Sequence, residues 1–76
     1  MIDKKLLDLY KRTLNNCQFY ENEKKPLKLL NEIGVLRGIA YCMTDAAGMK
    51  LELMTQTYEV FLHFIEIQEE LKKAEA

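Results

Sequence analysis

The sequence predicts an all-α fold, a small bundle of three helices at about residues 3–22, 26–43 and 45–73, expected to be completed by homo-oligomerisation. Three observations predict it. Apolar residues recur three and four apart through most of the chain, the spacing of a helix with a buried face. The only proline, Pro26, stands between two such stretches and not inside one, where it would break a helix. The last stretch carries two apolar stripes instead of one, more than a small monomer can cover. With 76 residues the chain forms one domain, 1–76, and a single core of that size is marginally stable by itself.

Asp3 suits the N-cap of the first helix, with Ile2 just outside it. Leu7, Tyr10, Leu14 and Cys17 then line one face, widened by Leu6, Thr13 and Tyr20, while Lys4, Lys5, Asp8, Lys11 and Arg12 fall largely on the other. Asn15 and Asn16 are poor interior residues, which predicts weakening from there and an end near Asn22. The run Glu21-Asn22-Glu23-Lys24-Lys25-Pro26 punctuates the chain. Proline suits a helical first turn because its missing N–H is not needed there, so the second helix starts at Pro26.

That second helix carries the apolar row Leu29, Ile33, Leu36, Ala40, Met43 and Ala47 beside a ridge of small residues, Gly34, Gly38, Cys42 and Ala46. Each glycine inside a helix costs roughly 0.8–1 kcal/mol relative to alanine. Close approach of another helix along the ridge would offset that cost, and a bend or loop at one glycine is the alternative. An extended reading of residues 35–43 lacks a partner strand. Thr44 or Asp45 offers an N-cap, which favours a break after Met43 and a fresh helix from about Asp45. The competing arrangement is one uninterrupted helix, because the row runs on through Ala40, Met43, Ala47, Leu51, Met54 and Tyr58, with dimerisation into a four-helix structure.

In the last helix Leu51, Met54, Tyr58, Phe61 and Ile65 form one stripe, and Leu53, Val60, Phe64, Ile67 and Leu71 form another. Two stripes need two covers, and a second subunit is the simplest second one. Residues 69–76 read as a solvated helical end.

The composition, 49% hydrophobic and 30% charged, fits a folded chain and not a disordered one. Net charge is −1, with eight basic and five acidic residues in 1–38 against three and seven in 39–76, so no global field draws the chain onto nucleic acid. The basic residues of the first half read as a solvated face, and nucleic-acid regulation is the third of three functional readings. No apolar run reaches the roughly 18 residues of a membrane span, and the start lacks a signal peptide's apolar core. A soluble, cytoplasmic protein without membrane contact is expected. Cys17 and Cys42 lie on apolar rows and are expected as buried free thiols.

The inventory for catalysis is thin. The single histidine, His63, has Glu59 and Glu66 on its own helical face, but the order is His-x-x-Glu and no second histidine exists. A surface or interface histidine is expected, with no metal and no cofactor. The glycines stand singly and Lys50 after Gly48 lacks the phosphate-loop pattern. No catalytic residues are assigned, and an enzyme is not expected.

What remains is action by contact. A small interaction or regulatory protein, such as an inhibitor, adaptor or chaperone, is expected to self-associate and bind a partner protein. Its interface residues would be Gly34, Gly38, Met54, Tyr58, Phe61, Phe64 and Ile65. The alternative is an oligomer that sequesters an anionic small ligand such as a nucleotide, with Arg37, Lys25, Lys28, Tyr10 and Tyr41 as contacts. Arg37 is the residue of interest there: it stands among apolar neighbours, where a cation must reach solvent, pair with an acid or hold an anion. The six residues Thr44-Asp45-Ala46-Ala47-Gly48-Met49 are similar to the helical hairpin of phage proteins that take up cyclic nucleotides, which implies ligand binding. Six residues carry no family assignment.

Overall fold

The structure is a computed structural model that describes residues 4–43 and 48–75. They form three packed helices, α1 (Lys4–Asn22), α2 (Pro26–Cys42) and α3 (Met49–Glu75), with no strand among the described residues. The expected caps Asp3, Thr44 and Asp45, and the small residues Ala46 and Ala47, lie outside the described residues.

α1 runs through Asn15 and Asn16 to Asn22 without interruption, because both amides are exposed while Tyr10, Thr13 and Cys17 are buried on the opposite face. Its end is closed by two backbone bonds: Lys25 N–H donates to Tyr20 O at 3.0 Å and Lys24 N–H to Glu21 O at 3.2 Å. This closure requires a left-handed residue, and Lys24 supplies it with φ of +56°. Pro26 then opens α2 at its first turn, and Leu29 N–H bonds back to Lys25 O at 3.0 Å.

α2 ends at Cys42, where Met43 turns extended (φ −74°, ψ 141°). The uninterrupted-helix alternative is therefore wrong. α3 starts at Met49 and not near Asp45: Gly48 has φ of +71°, which a right-handed helix cannot contain. At the far end α3 continues two residues beyond the expected Lys73, to Glu75.

Side-chain contacts give the topology. Tyr10 bonds to Leu53 and Thr57, Glu21 to His63 and Lys24 to Glu70, so sequence number rises together along α1 and α3. These two helices are parallel, with α2 antiparallel between them. The shared core is Tyr10 and Cys17 from α1; Leu29, Ile33, Leu36, Ile39 and Ala40 from α2 with Met43 beyond it; and Leu53, Val60, Phe64 and Ile67 from α3. The molecule is long and thin, 50 × 18 × 14 Å. Its radius of gyration is 13.6 Å, against about 11 Å for a compact globule of this length. A body this thin has a single core layer, and apolar side chains pointing away from that layer meet solvent.

One expectation about burial is corrected. Cys42 is exposed and free, whereas Cys17 is fully buried and free. Cys42 follows Gly34 and Gly38 along the helix, and this row turns outward, because the core row Leu29, Ile33, Leu36 and Ala40 occupies the inner face of α2.

Candidate functional site

The two stripes of α3 separate as their spacing requires. Leu53, Val60, Phe64 and Ile67 point into the core, with Thr57 beside them. Met54, Tyr58 and Phe61 stand roughly a quarter turn or more away and face a trough between α2 and α3, whose other wall is Leu30, Ile33, Gly34, Arg37, Ala40 and Tyr41. The trough has a volume of about 610 Å³ and contains no residue of α1. Its rim is exposed: Tyr58 keeps 61% of its surface accessible and Tyr41 51%. These are large, mostly apolar side chains left open to solvent beside the trough.

Arg37 is the one ionisable cation in the lining. Its guanidinium sits 5.5 Å from the centroid of the Tyr41 ring, a cation–π contact that holds it along the wall. Among the described residues it makes no ion pair. Gly34 opens the trough at its middle, where an added Cβ would meet no atom within 4 Å, and the same holds at Gly38. The glycines therefore do not admit a close helix from within the subunit.

Six of the residues selected from sequence converge on this trough: Gly34, Arg37, Tyr41, Met54, Tyr58 and Phe61. The others do not. Gly38 is exposed on α2 but outside the lining, Phe64 belongs to the core, and Ile65 is half-buried against it. Tyr10 is only 1% exposed, and its hydroxyl donates to Leu53 O at 2.9 Å and lies 3.1 Å from Thr57 Oγ1. That tyrosine ties α1 to α3 and faces no ligand. Burial pushes its pKa up, with the Thr57 hydrogen bond opposing and the nearby Cys17 adding slightly. Lys25 and Lys28 are exposed outside the trough, Lys28 with its ammonium 5.9 Å from the Tyr20 ring.

Two polar contacts between α1 and α3 lie beyond what helical spacing reveals. His63 Nδ1 is 2.9 Å from Glu21 Oε1, so the histidine's partner is on another helix and not Glu59 or Glu66. Lys24 Nζ donates to Glu70 Oε2 at 2.8 Å. Both are solvent-exposed pairs, worth about 0–1 kcal/mol each, and they act as register marks more than as fasteners. Among the described residues no three His, Cys, Asp or Glu side chains are grouped to hold a metal ion. No helix of the described residues is long and apolar enough to cross a membrane. A second depression, between Leu7, Lys11 and Leu14 of α1 and the first turns of α3, carries both signs of charge in Lys11, Glu52 and Glu59.

Comparison with known protein families, characterised proteins and solved structures finds no match. Function is argued from the trough itself.

Proposed function

We propose that this protein is a small interaction module that works by contact, and that the occupant of its α2–α3 face is a second copy of the same chain. The observation that carries the reading is the open strip of large apolar side chains along the trough. The exposed parts of Leu30, Tyr41, Tyr58 and Phe61 along the trough amount to roughly 400 Å², about half of the ~800 Å² per partner of a stable interface, and the exposed Leu51 and Leu62 on the neighbouring surface of α3 add to it. The face is also suited to itself. It offers a trough floored by Ile33, Gly34 and Ala40 and, alongside, projecting rings at Tyr41 and Tyr58, so a two-fold axis sets projections against hollows on both sides at once.

The contact reading is preferred to capture of a nucleotide. Lys25 and Lys28 stand away from the trough, which leaves Arg37 as the only cation for phosphates beside an otherwise apolar wall. A regulatory role, as inhibitor or adaptor, then belongs to the assembled dimer. The test is the concentration dependence of thermal unfolding. Because association stabilises only the folded chain, Tm of the wild-type protein rises with concentration. Tyr58→Glu places a charge in the strip and makes Tm independent of concentration while leaving the helical circular dichroism intact. A wild-type Tm that does not move with concentration overturns the reading and leaves the face to a foreign helix.

A further inference from the structure

The α2–α3 trough has the proportions of a small-molecule site as well as of a contact face. Its volume of about 610 Å³ lies within the roughly 300–1,000 Å³ of ligand pockets. Leu30, Ile33, Ala40, Met54 and Phe61 make most of the wall, and among the described residues no aspartate or glutamate lines it. The lining therefore carries a single charge, the Arg37 guanidinium, which makes no ion pair among the described residues. An apolar hollow with one cation in its wall complements an apolar molecule with one negative charge.

α2 and α3 are antiparallel, so the trough runs from Tyr41 and Met54 at one end to Leu30 and Phe61 at the other. Arg37 stands nearer the Tyr41 end, and the stretch of α2 from Arg37 back to Leu30 gives about 10 Å of wall. That length takes a medium-chain acyl group. Midway along it Gly34 leaves room, since an added Cβ there would meet no atom within 4 Å. At the charged end the guanidinium is held 5.5 Å from the centroid of the Tyr41 ring, a contact that uses none of its N–H donors. A nucleotide brings more charge than one guanidinium balances. A carboxylate matches it one for one and accepts its paired N–H groups.

We propose that the trough binds an amphipathic monocarboxylate, with its carboxylate on Arg37 and its apolar body along Gly34 between Leu30 and Phe61. Binding needs one subunit only. Its effect on assembly rests on the dimer reading above: ligand and second copy fill the same hollow, so each excludes the other, and the concentration of free carboxylate sets how much of the chain is paired.

The test measures affinity by thermophoresis of the full chain, labelled at its N-terminus and held at nanomolar concentration, where sedimentation also gives its mass. Decanoate is the probe and decanol its uncharged counterpart. Decanoate is expected to bind about tenfold more tightly than decanol, and Arg37→Met to erase that preference while leaving decanol binding unchanged. Gly34→Leu fills the middle of the trough and weakens both probes by about tenfold. Arg37 and Gly34 are exposed, and unchanged circular dichroism checks that the variants fold. No binding of decanoate below millimolar concentration, equal binding of the two probes, a preference that survives Arg37→Met, or binding indifferent to Gly34→Leu overturns the site. Saturating decanoate is also expected to lower the proportion of dimer at micromolar concentration, and a dimer left intact by bound decanoate removes the mutual exclusion. The two readings fail separately: a chain that stays single at every concentration yet prefers decanoate through Arg37 keeps the ligand site and removes the second copy, and a dimer whose chain shows no such preference does the reverse.

Discussion

Removing one oxygen atom, in Tyr10→Phe, measures how α1 is tied to α3. The ring is buried to within 1% and stays buried as phenylalanine, so no cavity opens and apolar contact is conserved. Lost are the bond to Leu53 O at 2.9 Å and the contact with Thr57 Oγ1 at 3.1 Å. Neither partner is orphaned, because Thr57 Oγ1 continues to donate to Leu53 O at 2.8 Å. The variant therefore loses the net worth of a satisfied hydrogen bond and not the larger cost of a stranded polar group, about 1 kcal/mol. For a domain of this size that lowers Tm by roughly 4–8 °C at fixed concentration. The assay is urea or thermal unfolding of Tyr10→Phe, Thr57→Val and the double variant. Since the two hydroxyls share one network, their effects are expected to couple by at least about 0.5 kcal/mol. A neutral Tyr10→Phe together with strictly additive effects would show that the hydroxyl contributes nothing to holding the helices in register.

Three further outcomes follow from particular residues. Lys24 holds the left-handed position at the end of α1, so Lys24→Gly is expected to be about 1 kcal/mol more stable than Lys24→Ala; both lose the Glu70 contact, and equal melting temperatures would refute the strain. Burial, with smaller contributions from the charges of Glu32 and Glu21, pushes the Cys17 thiol from its usual value near 9 up to about 12. The unfolded chain therefore releases this proton first. Stability is full below pH 9 and falls as pH rises toward 12, and Cys17→Ala flattens that fall by up to about 1.4 kcal/mol per pH unit. At neutral pH a thiol reagent labels Cys42 promptly and Cys17 only as the chain unfolds, because one is exposed and the other sealed in the core; two thiols reacting at the same rate would contradict the packing.

The three helices were legible because apolar spacing and Pro26 are local signals, and the doubled stripe of α3 told in advance that one side would be left open. Leu53, Val60, Phe64 and Ile67 took the core and Met54, Tyr58 and Phe61 the trough, as their angular separation demands. The start of α3 was misplaced because a good N-cap at Thr44 or Asp45 outweighed Gly48, whose positive φ sets the boundary. Phe64, placed at an interface from sequence, belongs to the inward stripe. Tyr10, offered as a ligand contact, and the partner of His63, which is exposed as expected, escaped the sequence for a shared reason. The partners of these two residues, Leu53 with Thr57 and Glu21, are more than forty positions away, and only the register of α1 against α3 brings them together. The glycine ridge read as a place for a close helix from the same or another subunit; the core row claims the inner face of α2, so Gly34 and Gly38 face outward with open space above them and no helix of the same subunit against them.

The central claim is that the α2–α3 face is covered by a second copy of the chain. Sedimentation equilibrium of the wild-type protein, followed by dilution from micromolar to nanomolar concentration, tests it most directly. Twice the mass of the chain at the higher concentrations, giving way to the single-chain mass on dilution, is the predicted result. The single-chain mass at every concentration would contradict it.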